Sequence, residues 1–441
     1  MTDAKNPRDV AFKVLNRVEG ADAYADILLD AELGALAEID RALATEITYG
    51  VLRWRMRLDH ITDLFSSIKT KKLEHRVLTA LRIGLYQLFF LTRIPASAAV
   101  NESVNLVRQQ GKKTAGFVNA VLRSADRERE KALSAGLGGD EARRISIESS
   151  HPEWLVKRWL KRFGPEFTSA LCAANQQVPP KTLRANTLVN SRDELITSFT
   201  EVGLEVRATR FSPSGIEVLN GRPKAKDSRY YIQDEASQLI AHLVSPQPGE
   251  RVLDACCAPG GKTTHIAELM KNKGLICGLD IYPARLKSVI ESAARLGIAI
   301  IRTIAAKADE PLPIGIDGFD AVLLDAPCTG LGVVRRAPEI KYRRQEKEIS
   351  EMGAKQARLL ENLSSSVKKG GRLVYSTCTF EPEETTAVVT GFLLAHPEFV
   401  LEDAKEYLPP ECASLIEDGF LKTYPHIHST DGFFGARMRR I

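Results

Sequence analysis

The spacing of apolar residues changes once along this chain, and no other feature constrains the fold as much. From Arg8 to about Arg123 the spacing is helical. Val10, Val14, Leu15 and Val18 mark one amphipathic face, and Leu78, Leu81, Leu85, Leu88 and Phe89 mark another. No strand alternation interrupts this stretch, which predicts an all-α bundle. After Gly249, strands and helices alternate. Strands are expected at Arg251–Asp254, Leu275–Asp280, Ile298–Ile304, Phe319–Asp325 and Gly371–Thr377. Helices are expected at Thr263–Lys271, Pro283–Leu296 and about Gln345–Val367. That alternation specifies a largely parallel α/β sheet.

Between these halves, Pro152–Phe163 reads as a helix, and Leu204-Glu205-Val206 and Gly215–Leu219 read as short strands. Tyr230–Leu243 reads as a helix leading into the second half. Ala125–Ile145, rich in charge, Ala and Gly, reads as a linker or frayed helix, and Asp431–Met438 alternates like an edge strand. The expected fold class is therefore α + α/β and multidomain. At about 150 residues per domain, 441 residues suggest three parts: an all-α bundle over 1–145, a small α/β connector over 146–240 and an α/β domain over 241–441.

Composition excludes several classes. The start lacks a signal-peptide core, and the most apolar early run, Ile83–Leu91, contains Gln87 and is too short for a bilayer, so a cytoplasmic protein without membrane contact is expected. Seven cysteines with no C-x-x-C pair fit neither a disulfide framework nor a zinc module, so no metal is expected. Net charge is +5, and residues 1–145 carry 23 basic against 19 acidic side chains. Within that stretch Arg53, Arg55, Arg57, Lys69, Lys71, Lys72 and Arg76 are bunched, which suits a phosphate backbone or a solvated helical face. The three Trp (Trp54, Trp154, Trp159) fall in helical contexts and are read as packing residues. Nothing points to an obligate oligomer, and a monomer is expected.

The chemistry-bearing residues follow strands. One strand runs into Asp254-Ala255-Cys256-Cys257-Ala258-Pro259-Gly260-Gly261-Lys262-Thr263. A glycine turn between strand and helix offers free backbone N–H groups to a ligand. Gly261-Lys262-Thr263 matches the end of a phosphate-binding P-loop, but that motif needs Gly where Cys256 stands. Asp280 closes the next strand, about 20 residues on, where an acid commonly holds ribose hydroxyls; it could equally serve the start of the helix at Pro283. Cys328 and Cys378 follow two further strands, in Asp325-Ala326-Pro327-Cys328-Thr329-Gly330 and Ser376-Thr377-Cys378-Thr379. A thiol at the C-terminal opening of a parallel sheet can be activated as a thiolate.

These motifs resemble the RNA 5-methylcytosine methyltransferases of the RsmB/Nop2 (Sun) type, over roughly 150–441. The helical region resembles the NusB-type RNA-binding fold through Pro7-Arg8-Asp9-Val10-Ala11, Tyr49-Gly50-Val51-Leu52-Arg53 and Ala98-Ala99-Val100-Asn101-Glu102. The fusion of the two resembles the bacterial 16S rRNA branch of that family.

The resemblance implies a NusB-like bundle, a Rossmann-like catalytic domain, S-adenosylmethionine (SAM) as cofactor and a cytosine of 16S rRNA as substrate. It implies that Cys378 adds to cytosine carbon 6, that Cys328 takes part in release, that Asp325 contacts the base near N3, and that Lys262 keeps the pocket electropositive. It places SAM on Cys256, Cys257, Ala258, Pro259, Gly260, Gly261 and Lys262, on Asp280 and near Asp325. The position that aligns with the family's acidic contact to adenine is Ala306, with Asp309 three residues on; either Asp309 substitutes through a shifted loop or the contact is lost, and the adenine contact is left unassigned. Arg184-Ala185-Asn186-Thr187 resembles the family's Arg-x-Asn segment; orienting RNA, bracing the domain interface and a purely structural role all remain open for it. Three other functions compete: the same chemistry on tRNA, a non-catalytic NusB-like RNA-binding or antitermination factor, and an RNA-stimulated ATPase. The intact thiols weigh against the second, and the missing P-loop glycine weighs against the third.

Overall fold

The computed structural model describes residues 6–20, 23–34, 36–134, 138–224, 226–310 and 318–441. Its contacts divide the chain into two compact units. One comprises Met1–Gln177 and Val334–Arg344, the other Val178–Val333 and Gln345–Ile441.

The first unit is all helical. Its core helices are Pro7–Gly20, Glu38–Phe65, His75–Phe90, Ala96–Asn105 and Lys112–Arg127. The faces read from the sequence are the buried ones: Val10, Val14, Leu15 and Val18 meet Leu81, Leu85 and Leu88 in one core. Gly50 lets two helices approach, since a Cβ there would fall 1.9 Å from the Tyr86 ring. Buried Arg82 is held by Asp59 at 2.6 and 2.7 Å and by Glu19 at 2.6 Å. The stretch expected as a linker or frayed helix is largely helical, with Arg129–Ser134 and Glu141–Ser149 on either side of residues 135–137, which lie outside the described ones. The helix expected at 152–163 belongs to Glu153–Asn175, which is broken at Gly164, where φ is +79°.

Val334–Arg344 is part of this helical unit. Glu339 Oε1 accepts the Ala25 N–H at 2.9 Å, Lys341 Nζ donates to the Arg53 carbonyl at 3.0 Å, and Tyr342 Oη donates to the Ser150 carbonyl at 3.0 Å. The bunched basic residues therefore divide. Arg53 and Arg57 are buried, and only Lys69, Lys71, Lys72 and Arg76 are exposed, with Arg55 half-buried. Trp159 is buried and Trp54 stacks on Phe90 at 4.7 Å.

The second unit has two sheets. The smaller is antiparallel, with strands β1 (Lys181–Ala185), β2 (Glu205–Ala208), β3 (Gly215–Asn220) and β4 (Tyr230–Ile232) in the order β2-β3-β1-β4. Tyr230–Ile232 is thus a strand rather than a helix entry, because it pairs with β1; the helix begins at Glu235.

The larger sheet contains β5 (Arg251–Asp254), β6 (Leu275–Asp280), β7 (Ile301–Ala305), β8 (Phe319–Asp325), β9 (Val367–Thr377), β10 (Phe399–Glu402), β11 (Ile416–Glu417), β12 (Phe420–Lys422) and β13 (Phe434–Arg440). Its order is β11-β12-β13-β9-β8-β5-β6-β7, with β10 also on β13. Strands β5 to β9 pair in parallel, and β13 pairs antiparallel with β9. β13 is not an edge strand. It has partners on both sides, and its outward-alternating Arg437 is buried against Glu402 at 2.6 Å. The chain leaves β5 through β6 and β7 on one side and returns as β8 on the other, so the crevice at the β5 and β8 ends is the switch point where such sheets bind ligands.

Candidate active site

Three loops meet at that crevice. After β5, the Ala255 N–H donates to the Leu323 carbonyl and the Cys257 N–H to the Leu279 carbonyl, at 2.9 and 2.8 Å, tying the loop to both neighbouring strands. Gly260 has φ +107°, and a Cβ on it would stand 3.1 Å from the Val289 backbone. Glycine is required there, and the helix Gly261–Leu269 starts immediately after it. Lys262 then reaches back to Asp325 at the end of β8, with Nζ 2.7 Å from Oδ2. Its ammonium also sits over the Phe433 ring, 5.0 Å from the centroid. Burial alone would lower the Lys262 pKa; the Asp325 carboxylate outweighs it and the net shift is upward.

Strands β8 and β9 pair so that Asp325 faces Ser376. Ser376 Oγ donates to Asp325 Oδ1 at 2.8 Å. A few residues beyond this register pair, Cys328 Sγ and Cys378 Sγ stand 3.1 Å apart. The contact with Cys378, then burial, raises the Cys328 thiol well above its ordinary pKa. The Cys328 loop is held by Glu384, which accepts the Thr329 N–H at 2.8 Å and the Thr329 hydroxyl at 2.5 Å. The Cys378 loop is held by the Gly332 N–H, which donates to the Cys378 carbonyl at 3.0 Å.

A cavity of about 200 Å³ opens beside these groups, lined by Tyr231, Gln233, Ser237, Asp254, Cys256–Pro259, Gly261, Lys262 and Asp325. Asp254 is buried, accepts from the Thr263 hydroxyl at 2.7 Å, and leaves Oδ1 without a partner. Burial pushes its carboxyl up to about 7. Burial, then Asp254, also raises the Cys256 and Cys257 thiols, so both are neutral wall residues. Asp280 stands outside this lining. Its carboxylate is engaged by the turn itself, accepting the Tyr282 N–H at 2.9 Å and pairing with Arg285 at 3.2 Å. Ala306 donates its N–H to the Asp280 carbonyl at 3.3 Å, and Asp309 is exposed and absent from the cavity wall.

Sequence reasoning missed Tyr231, Gln233 and Ser237 on the cavity wall, and also Ser376 and Glu384. Only Ser376 carried a usable signal, as the residue that opens the second cysteine motif.

A glycine-built strand-to-helix turn and an orphaned buried carboxylate oxygen beside it fit a nucleoside-bearing cofactor. Residues 241–439 match the 16S rRNA methyltransferase RsmB/F family, residues 5–127 the NusB family, and residues 151–223 the ferredoxin-like domain of RsmF/B-like methyltransferases. The probable ribosomal RNA small subunit methyltransferase B of Bacillus subtilis is 38% identical, over 98% of this chain and 98% of that protein. The chain belongs to the RsmB/F family.

The ribosomal RNA small subunit methyltransferase B of Pseudomonas putida is 39% identical over 99% of each chain. Among solved structures, PH0851 superposes with a TM-score of 0.81 at 27% identity, over 98% of this chain and 99% of that one. The fold of NSun6 from Pyrococcus horikoshii, solved with the SAM analogue SFG, matches with a TM-score of 0.58 at 24% identity, over 66% of this chain and 98% of that one. Membership of the RsmB/F family makes this a SAM-dependent rRNA methyltransferase. Among the described residues no helix is long and apolar enough to cross a membrane.

Proposed function

We propose that this enzyme methylates carbon 5 of a cytosine in 16S rRNA through a covalent adduct with Cys378. The observation that carries the reading is the pair of thiols 3.1 Å apart beside the Lys262–Asp325 ion pair. Carbon 5 of cytosine is a poor nucleophile. The Cys378 thiolate forms an S–C6 bond, which leaves carbon 5 enamine-like. SAM supplies the methyl group that carbon 5 takes. Once the Cys378 sulfur is bonded to carbon 6, the hydrogen bond and charge that raise the Cys328 thiol are gone; Cys328, as thiolate, takes the carbon-5 proton, and the electron pair of that C–H bond re-forms C5=C6 and expels the Cys378 sulfur.

Lys262 brings an ammonium within electrostatic reach of Cys378. Asp325, oriented by Ser376 and Lys262, meets the base edge near N3. Cys256–Lys262, Asp280 and Asp325 hold the cofactor. The target base must leave its stack to enter the crevice, which favours a loop or an opened helix. Within the whole chain, residues 1–145 bind RNA, 146–240 connect, and 241–441 catalyse, in a cytoplasmic monomer.

The test is transfer of labelled methyl from SAM to a 16S rRNA transcript by wild type, Cys378→Ala and Cys328→Ala, with denaturing gels. Label at carbon 5 with wild type, none with Cys378→Ala, and an RNA adduct with Cys328→Ala are expected. Transfer to tRNA alone would keep the chemistry and overturn the substrate. Absence of both SAM binding and transfer would leave an RNA-binding factor.

A further inference from the structure

Arg184 of β1 is fully buried, and each of its five N–H groups has an acceptor. Nε donates to Glu268 Oε2 at 3.0 Å. Nη1 donates to Gln233 Oε1 at 2.5 Å and to the Gly261 carbonyl at 2.6 Å. Nη2 donates to Glu268 Oε1 at 2.6 Å and to Thr264 Oγ1 at 3.0 Å. No other side chain could satisfy this set, because only guanidinium offers five donors in a fixed planar fork. Asn186, two residues on, is also buried, with its amide on the Ser228 and Leu296 carbonyls at 2.9 and 3.0 Å. Neither side chain is free to touch RNA.

The acceptors are informative. Gly261 and Gln233 both line the cavity beside the glycine turn. A third wall residue, Tyr231, has its ring 5.2 Å from the Arg184 guanidinium. That ring stands 3.2 Å from where a Gly261 Cβ would be. Arg184 itself is not on the wall. It fastens three wall residues from behind and anchors the helix Gly261–Leu269 at its first turn and, through Glu268, near its end. The next residue after Gly261 is Lys262, which carries the Asp325 contact.

We propose that Arg184 is a positioning residue for SAM: from the small sheet it sets the geometry of the Gly260-Gly261 turn and the Tyr231 and Gln233 wall, so that the cofactor site is formed before SAM arrives. The inference rests on SAM as cofactor, not on the cytosine-5 reading. A side chain acting this way changes cofactor affinity, whereas an RNA contact would change RNA affinity and a plain structural brace would change neither.

The experiment uses the full-length chain as wild type, Arg184→Lys, which keeps the charge and loses the fork, and Glu268→Gln, which keeps the shape and weakens the anchor. SAM binding is measured by calorimetry without RNA, and KM for SAM and for a 16S rRNA transcript by methyl transfer. Both variants are expected to weaken SAM binding and raise its KM by about tenfold or more, with the RNA KM within about twofold. A raised RNA KM with SAM affinity intact overturns the proposal. So does a lower melting temperature or active fraction with both KM values unchanged. If Arg184→Lys does not fold, Glu268→Gln decides by the same criteria. A wild type that binds SAM but leaves the transcript unmethylated would overturn the substrate reading, and the calorimetry would still decide the role of Arg184.

Discussion

Cys328 Sγ lies 3.1 Å from Cys378 Sγ, across the ends of two neighbouring parallel strands. The contact with Cys378, followed by burial and the Glu384 carboxylate, keeps the Cys328 thiol protonated at neutral pH. Alkylation of Cys328 by iodoacetamide should therefore stay slow to about pH 9, above the ordinary thiol range. In Cys378→Ala its pH profile should move to lower pH, because the hydrogen bond and charge that raise it are gone. Peptide mapping by mass spectrometry reads the rate. An unmoved profile would mean that burial alone sets the thiol.

Asp254 gives a stability signature. Burial pushes its carboxyl from 3.8 up to about 7, so between those values the folded state holds a proton that the unfolded state has lost. Stability falls as pH rises through that window and loses nothing further above it, by about 4 kcal/mol in full. Asp254→Asn keeps the Thr263 partner and removes the titration. Urea midpoints of variant minus wild type should therefore grow in the variant's favour from pH 4 to 7 and then level off. A constant difference would contradict the buried-acid account.

Gly332 is where the two thiol loops and the last strand's approach meet. A Cβ there would fall 2.0 Å from the Gly432 carbonyl oxygen and 2.8 Å from that of Cys378. Gly332→Ala should push the Cys378 loop away from Cys328 and reduce methyl transfer by about 100-fold, since about 1 Å of misplacement can cost that much. SAM binding should be little changed, as the cavity wall lies elsewhere. Retention of more than half the wild-type rate would show that the loops accommodate the methyl group.

Lys341 is buried in the helical unit, where its Nζ donates to the Arg53 carbonyl at 3.0 Å. Burial, together with nearby Arg53, lowers its ammonium well below 10.5. A base with a depressed pKa makes the folded state lose stability as pH falls below its unfolded value. Lys341→Met should raise stability at neutral pH by about 1–3 kcal/mol, and by more at lower pH. Thermal unfolding of both forms at pH 6 and 8 checks this; a lower melting temperature for the variant would show that the carbonyl contact outweighs the burial.

Much of the site was legible in the sequence because its parts are local. Asp254–Lys262, Asp325–Cys328 and Ser376–Cys378 each follow a strand whose apolar run and turn residues can be read within about ten positions. Where such strands are parallel, their ends share a crevice by topology. Misreadings came where long-range pairing overrode the local pattern. Tyr230–Ile232 is extended because β1 lies beside it, and β13 is interior because β9 and β12 flank it, with Glu402 neutralising its buried arginine.

The helical first part, the alternation of strands and helices from β5 to β9, the positions of the two thiols and the glycine turn were settled by residue type and spacing alone. Tertiary structure decided which groups those residues meet. It assigned Val334–Arg344 to the helical unit, buried Arg53 and Arg57 out of a basic run, and placed Arg184 behind the glycine turn. A side chain's own chemistry says how many hydrogen bonds and charges it must satisfy. Only strand register and packing say which partners, dozens of residues away, satisfy them.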